Sequence, residues 1–542
     1  MITKTKPFLH QEEGVEFAYS KPFSAFFLEQ GLGKTKMLID LASNLYLNEK
    51  IDAVLLIGPL AVCEQWIEEL GIHSPIPFEA YIYEKTGTGK AERRFLAFKT
   101  QKSALRWLIT NIEGFSSTTH LSVFKEFLLE NKALVAIDEV HSAKSVEAQR
   151  TQNLILGLAN VTRMGRRITK VEPIAPYRVI MTGTPVANAP FDLFAPFEFL
   201  SPGFWGMPFS AFKARYGLER TDCVPGTSRL FKRRLSLKEM KLVRNLATRA
   251  GAPSAARVYG VSVEDIEYLL ANPDLHAPYK NLPELKAKIA PYAFIRKKVD
   301  CLDLPPKIYT KVPVEMNSDQ AAVYKKLVAD LEAEYGGVTI TALNALTLTM
   351  RLAQVTSGFY PGGDQNESVQ SNPFILIGKS SPKIDAMLDH MREYLEVPCI
   401  VVCRFVEEAR RATAAIRKAF PEYRVETVIG EVPVHERERI VADFKKGEVE
   451  VIVATQRVIG TGLNLQVASL VYFLSNSYSL IDRAQTEDRI HRPGTTAEKC
   501  TYVDFLCRGT IDERVYDILL SKKDLLEYMR GKSFSEFLGG VK

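Results

Sequence analysis

The sequence predicts an α/β protein made of two doubly wound parallel-sheet lobes with helical insertions between them. Three observations predict it. In two separate regions, nearly continuous apolar runs of four to six residues alternate with helical stretches, the pattern of strands buried on both faces of a parallel sheet. The stretch between them, from about residue 205 to 390, changes to a helical and more charged character. The chain, at 542 residues, has length for roughly three to four domain-sized units.

In the first region the strand candidates are Ala25–Leu28, Ala53–Ile57, Ala133–Ile137 and Arg178–Met181. In the second they are Cys399–Val402, Val425–Ile429, Val451–Ala454, Leu470–Leu474 and Tyr502–Phe505. Sheets of this kind bind ligands at the carboxyl ends of their strands. Pro291, Pro305 and Pro306 punctuate the middle region, and Gly336-Gly337 and Pro361-Gly362-Gly363 mark loops. The expected division is a first lobe at 1–205, a helical insertion at 206–310, a helical segment at 311–390, a second lobe at 391–520 and an amphipathic tail at 521–542. In that tail Leu525, Met529, Phe534 and Phe537 alternate with charges.

A content of 46% hydrophobic and 25% charged residues is that of a soluble globular chain. The net charge of +6 suits contact with phosphates along one groove and suits many metabolic enzymes equally. Cysteines at 63, 223, 301, 399, 403, 500 and 507 include no Cys-x-x-Cys pair, which argues against a disulfide framework or a zinc site. Cys399 and Cys403 flank an apolar stretch and read as small core hydrophobes. No run of signal-peptide length follows Met1, and no run of about 18 apolar residues occurs. A soluble, cytoplasmic protein with no membrane partner is expected.

The sharpest local signal is Gly31-Leu32-Gly33-Lys34-Thr35, directly after the first strand. A strand, a glycine turn and Lys-Thr opening a helix let backbone amides and a helix N-terminus cradle phosphates. Lys34 would reach the β- and γ-phosphates and Thr35 would ligate magnesium. Leu28 stands where the full pattern asks for glycine. Gly87-Thr88-Gly89-Lys90 repeats the letters, but Ala91 follows where a hydroxyl should bind magnesium, so it reads as a surface loop. Asp138-Glu139-Val140-His141 ends the third strand candidate. There Asp138 would hold magnesium through water and Glu139 would polarise an attacking water, against the plainer reading of a solvated acidic turn. Thr182-Gly183-Thr184-Pro185 closes another strand, as a nucleotide sensor or a simple turn.

In the second region Gly460-Thr461-Gly462-Leu463-Asn464-Leu465 offers backbone amides to a phosphate. Gln485, Arg489 and Arg492 fall at helical spacing and are expected on one helix face. A guanidinium pair aimed across a cleft stabilises the charge of phosphoryl transfer, an effect worth about 10³ to 10⁵ in rate.

In this order the motifs resemble the Swi/Snf-related branch of the superfamily 2 helicase-like ATPases, over nearly the whole chain, with the compactness of a bacterial or viral member. Gln11 resembles the adenine-reading glutamine ahead of the P-loop, and Pro59 with Gln65-Trp66 and Glu69 resembles a motif that touches nucleic-acid backbone. Thr110-Asn111-Ile112-Glu113 matches a strand-contacting motif, and His141 and Lys144 extend the acidic box. Thr182 to Asn188, Ile295 to Lys298, Leu304-Pro305-Pro306-Lys307, Gly462 to Leu465 and Arg489 to Gly494 complete the set. The resemblance implies two RecA-like lobes that close on ATP and magnesium, bringing Arg489 and Arg492 to Lys34 and Asp138. Nucleotide contacts would come from Gln11, Gly31, Leu32, Gly33, Lys34, Thr35, Gly462 and Gln485. Contacts to nucleic acid, or coupling to it, would come from Gln65, Trp66, Asn111, Thr182, Thr184, Thr461 and Asn464. The implied activity is DNA-dependent ATP hydrolysis with translocation on double-stranded DNA, gripped by its backbone and so sequence-tolerant and salt-sensitive. A strand-separating DNA or RNA helicase, and a nucleotide-gated DNA-binding scaffold, stay open as alternatives.

Ala256 to Ile266 has the look of a helix-turn-helix, with a glycine turn at Gly260. Lys232-Arg233-Arg234, Lys238, Lys241 and Arg244 add positive charge upstream, whereas Glu264, Asp265 and Glu267 on the second helix repel phosphates. A spacer, or a protein partner docking through residues 206–310, is the expectation.

Overall fold

A computed structural model describes residues 1–530 apart from 84–88, 101–102, 165–166, 187–188, 224–229, 274, 276, 335–341, 362–373, 379–380, 395, 397, 461–462, 464, 493 and 496. The chain forms two compact units, one built on Met1–Cys301 and one on Leu302–Lys523.

Among the described residues of the first unit eleven strands arise: β1 (Phe23–Leu28), β2 (Ala53–Gly58), β3 (Phe78–Ile82), β4 (Leu105–Asn111), β5 (Ala133–Ile137), β6 (Ala159–Met164), β7 (Arg167–Pro173), β8 (Tyr177–Thr182), β9 (Glu219–Cys223), β10 (Leu230–Arg234) and β11 (Ala293–Arg296). Seven of them form one parallel sheet in the order β11-β1-β8-β5-β2-β4-β3. β2 and β5 are buried at every residue, as their unbroken apolar sequences require. β6–β7 and β9–β10 are separate antiparallel hairpins.

β11 follows the helical insertion in sequence yet pairs with β1, with Ala25 opposite Ala293. The insertion is thus spliced into one sheet, between β8 and β11. Its helices Leu237–Ala250, Ala252–Tyr259 and Val263–Ala271 share a hydrophobic core with the sheet, Ile266 and Leu269 lying in one cluster with Phe27 and Phe197. Ser236 and Glu239 form a capping box at the first helix, and the Ser262 hydroxyl accepts from Asp265 N at 3.1 Å to cap the third. Between the second and third, Gly260 turns at φ 64°, and a Cβ there would stand 2.5 Å from the Thr221 carbonyl oxygen. The helix-turn-helix shape is present, with Asp265 committed to a buried ion pair with Lys280.

The second unit holds β12 (Lys307–Val314), β13 (Phe359–Pro361), β14 (Phe374–Leu376), β15 (Cys399–Cys403), β16 (Val425–Val428), β17 (Val451–Thr455), β18 (Leu470–Phe473) and β19 (Cys500–Cys507). Six make a parallel sheet in the order β12-β19-β18-β15-β17-β16, with one hydrophobic cluster on each face. Both lobes are thus doubly wound and RecA-like. Cys399, Cys403, Cys500 and Cys507 are buried among them, and burial pushes the Cys399 thiol up. Lys383 and Asp512 pair at 2.6 Å in the interior and tie helix Pro382–Tyr394 to helix Ile511–Arg530. Phe534 and Phe537 of the expected tail lie outside the described residues. No helix among the described residues is long and apolar enough to cross a membrane.

Candidate active site

Sheet order gathers what sequence order scatters. β1, β8 and β5 are neighbours in the sheet, so the residues after them leave side by side from one set of carboxyl ends: Glu29 to Thr35, Gly183-Thr184 and Asp138-Glu139. Gly183 packs directly on the first of these loops, since a Cβ there would stand 3.2 Å from Gln30 Cγ and 3.5 Å from the Leu28 carbonyl oxygen.

The loop after β1 turns through Gly31 at φ 83° and Gly33 at φ 78°, values that L side chains adopt only with strain. Gly33 caps helix Lys34–Leu47, so the first amides and the positive end of that helix face the turn. Gln11, on helix Leu9–Tyr19, lies against it: a Cβ on Gly33 would overlap Gln11 Nε2. Gln11 Nε2 donates to the Leu32 carbonyl at 3.2 Å, and its Oε1 accepts from Phe8 N at 3.0 Å. His10 Nε2 sits 2.9 Å from the same Leu32 oxygen. Lys34 Nζ donates to the Leu28 carbonyl at 3.0 Å, a neutral acceptor that an anionic phosphate oxygen outcompetes. Glu29 accepts from Lys298 N at 2.7 Å, fastening the loop to the segment that follows β11.

At the end of β5 both Asp138 oxygens are held: Oδ2 accepts from Trp66 Nε1 at 3.1 Å and Oδ1 from Glu139 N at 3.0 Å. Glu139 adopts φ 51°, ψ 55°, a left-handed conformation that persists only where its surroundings impose it. Glu139 Oε2 receives the Thr182 hydroxyl at 3.1 Å and lies 3.1 Å from His141 Nδ1. The Thr182 hydroxyl in turn accepts from Thr184 N at 3.1 Å. Burial, then the adjacent Glu139 charge, raises the Asp138 carboxyl to about 6. Burial acts on Glu139 too, but His141, Lys34 and the Thr182 hydroxyl outweigh it and hold that carboxyl below its usual range. The Thr35 hydroxyl and the Asp138 carboxylate are hard oxygen groups; magnesium takes one or two such groups directly and meets others through its retained waters, as expected of Asp138. The chemistry of these oxygen groups fits magnesium arriving with a nucleotide; among the described residues no group of three or more His, Cys, Asp or Glu gathers as a metal site.

The residues expected to contact or couple to nucleic acid divide. Gln65 is exposed. Asn111, at the end of β4, accepts from Gly114 N at 2.8 Å and caps the turn Ile112–Ser116. Trp66, Thr182 and Thr184 are buried, and the first two make their contacts inward, to Asp138 and Glu139. Lys144 pairs with Asp192 at 3.7 Å. Thr461, Gly462 and Asn464 lie outside the described residues, as do Ala187 and Asn188 and the loop residues Gly87 and Thr88.

In the second unit one expectation is corrected. Gln485, Arg489 and Arg492 do not share a helix face, because helix Leu480–Glu487 ends before the arginines. Arg489 N turns back to the Thr486 carbonyl and Ile490 N to Glu487, a tightening that closes the helix ahead of Pro493-Gly494. Gln485 and Arg489 nevertheless converge on one point. Arg489 Nη2 donates to the Gly460 carbonyl at 2.5 Å, and a Cβ on Gly460 would stand 3.2 Å from Gln485 Oε1. Arg492 follows in a turn fixed by Thr495, whose hydroxyl donates to the Arg492 carbonyl at 2.8 Å.

A buried charge network beneath these residues gave no motif in the sequence. Arg483 pairs with both oxygens of Asp504 at 2.6 and 2.9 Å and donates through Nε to Glu487 at 2.8 Å. Glu487 also receives Lys307 Nζ at 3.1 Å and the Tyr309 hydroxyl at 2.7 Å, both from β12. The spacing of Arg483 and Glu487, one helical turn apart, and the place of Lys307 in the Leu304 to Lys307 segment were the signs of it in the sequence.

Residues 10–358 match the family model described as an SNF2-related domain, and residues 382–494 match a helicase conserved C-terminal domain. The chain is 24% identical over 572 residues to the DNA excision repair protein ERCC-6-like of Danio rerio, covering 97% of this chain and 36% of that protein. It is 24% identical over 511 residues to the chromodomain-helicase-DNA-binding protein 1-like of Danio rerio, covering 92% of this chain and 41% of that protein. The chain thus spans well under half the length of these curated relatives. Among solved structures, the SWI2/SNF2 ATPase core of Sulfolobus solfataricus in complex with dsDNA is 20% identical, covering 99% of this chain and 98% of that one, with a TM-score of 0.37.

Proposed function

The chain belongs to the SNF2-related family, and from that premise we propose that it is a DNA-dependent ATPase that translocates on double-stranded DNA and remodels DNA or DNA-bound proteins. One observation carries the reading: three adjacent parallel strands, β1, β8 and β5, deliver a glycine turn with Lys34, a hydroxyl pair and an Asp-Glu pair to one edge. The glycine turn and the helix at Lys34 bind the phosphates, with Gln11 set beside them to meet the base. Thr35 and Asp138 hold magnesium, which when bound neutralises charge on the β- and γ-phosphates. Glu139, kept ionised by its neighbours, orients and deprotonates the attacking water. Arg489 and Arg492 stabilise the transferring phosphoryl group when the lobes close, and Gln485 completes the nucleotide contacts.

Gln65 and Asn111, with Thr461 and Asn464 from the second lobe, are proposed to meet the polynucleotide or couple to it, while Trp66, Thr182 and Thr184 relay its presence inward. The names of the relatives above support DNA as the track. The exposed Glu264 and Glu267 on helix Val263–Ala271 favour a protein partner at the insertion over phosphate contact. An intracellular setting, bacterial cytoplasm or nucleus, follows from the DNA track.

ATP turnover without nucleic acid, with duplex DNA, with single-stranded DNA and with RNA tests the reading, with Lys34→Ala as the blank. Strong stimulation by duplex DNA is expected. Stimulation by single strands or RNA alone would make the chain a helicase of another kind. Turnover unchanged in Glu139→Gln would remove the enzyme reading in favour of a DNA-binding scaffold.

A further inference from the structure

Trp66 is buried on helix Cys63–His73, directly after the exposed Gln65. Its indole N–H donates to Asp138 Oδ2 at 3.1 Å. Its ring stacks on Trp107, centroids 6.3 Å apart with planes 27° from parallel. Trp107 lies on β4, the strand that ends in Asn111. A single indole, carried by the same helix as Gln65, therefore touches the carboxylate at the end of β5 and packs against β4, whose end carries Asn111. A buried ring with both a packing partner and a hydrogen bond has little freedom to move alone. A displacement of helix Cys63–His73 or of β4 must carry the N–H with it, and Asp138 Oδ2 loses or regains its donor accordingly.

We propose that Trp66 is a positioning residue that aims the Asp138 carboxylate at magnesium-nucleotide and passes polynucleotide engagement at helix Cys63–His73 and β4 to that carboxylate. The inference rests on the reading of Asp138 as the magnesium-holding group. It adds a named route between the two ligands, where the family resemblance left Trp66 among residues that contact nucleic acid or couple to it. The burial of the ring turns that contact inward. Partners that orient a metal ligand from behind typically change metal affinity by about 10- to 100-fold when removed.

Calorimetric titration of the full chain with MgADP, and with ADP in EDTA, separates the possibilities. Trp66→Phe keeps a ring against Trp107 and removes only the donor. It is expected to weaken MgADP binding about tenfold while leaving ADP binding in EDTA at the wild-type value. Equal losses in both titrations, or no loss in either, would overturn the assignment, the first because it marks a merely structural role. Asp138→Asn serves as the reference: if it too leaves the difference between MgADP and ADP intact, the reading of Asp138 has failed rather than that of Trp66. Adding duplex DNA is expected to shift MgADP affinity in the wild type, and the shift should shrink by at least half in Trp66→Phe. A shift kept in full, or absent from the wild type, removes the relay. Fluorine NMR of the unsubstituted sequence, its three tryptophans carrying 5-fluoroindole, gives a check that needs no variant. One resonance must respond to MgADP and not to ADP in EDTA, and no such response would also overturn the proposal.

Discussion

Gly33 shows how closely backbone and ligand chemistry are joined at single residues. It needs a positive φ, and the space a Cβ would take is occupied by the Gln11 amide. Gly33→Ala must therefore strain the turn and displace Gln11 together, and kcat/KM for ATP is expected to fall on the order of 10²-fold, with Tm lowered by the strained left-handed alanine. An unchanged kcat/KM would detach Gln11 from nucleotide binding. Asp138 makes a second prediction, on pH. Its carboxyl is raised to about 6 in the fold against about 3.9 in an unfolded chain. Between those values the folded state binds more protons than the unfolded, so stability falls as pH rises through that window. Asp138→Asn cannot titrate. Its nucleotide-free Tm, taken relative to wild type, should climb from pH 4 to about 6 and level off above. A flat difference would show that Asp138 titrates normally. The glycine turn, Lys34 and the Asp-Glu pair were legible because their chemistry is local in sequence. The His10 and Trp66 contacts were not, since each closes across 22 and 72 positions of chain.

At the scale of elements, legibility followed burial. β2, β5 and β15 announced themselves as unbroken apolar runs because both faces are covered. β3, β11 and β12 sit at sheet edges, carry polar or half-exposed residues, and left no such run. β4 is buried but is interrupted by Arg106, which donates to the Lys99 carbonyl at 2.8 Å. The helix Leu480–Glu487 was legible at Gln485 and overextended to the arginines, because spacing alone cannot see the turn that closes at Glu487. Glu487, at that turn, accepts from Lys307 and Tyr309 of the network. Tyr309→Phe removes one donor from Glu487 and should cost about 1 kcal/mol in denaturant unfolding. If the network positions Arg489 and Arg492, kcat should also fall severalfold while KM for ATP holds. A loss of stability with kcat intact would limit the network to support. Gly260 governs another junction: with φ 64° and the Thr221 carbonyl 2.5 Å from a would-be Cβ, Gly260→Ala should destabilise the first unit by about 2 kcal/mol or more.

For the whole molecule, the placing of β11 decides what can stand alone. The sequence marks a change of character near residue 205, and the sheet of the first unit closes only at Ala293–Arg296. β1 lies between β11 and β8, so a chain cut near 205 leaves the strand that carries the glycine turn as a new edge, its Phe and Ala side chains stripped of one neighbour. It also removes Lys298 N from Glu29 and the Arg296 guanidinium from Glu13, which pair at 2.7 and 2.8 Å and brace the loop and helix on either side of that strand. The insertion helices go too, and with them Val261, Ile266, Leu269 and Leu285 of the common core. A fragment of residues 1–301 is therefore expected to unfold cooperatively and to retain MgADP binding, weaker than the full chain by what Gln485 supplies. A fragment of residues 1–205 should show no cooperative transition and no binding. Far-UV circular dichroism melts and calorimetric titration of the two fragments check this. Nucleotide binding retained by the shorter one would mean that β11 and the insertion are appended to a lobe already complete, rather than part of what holds its phosphate turn in place.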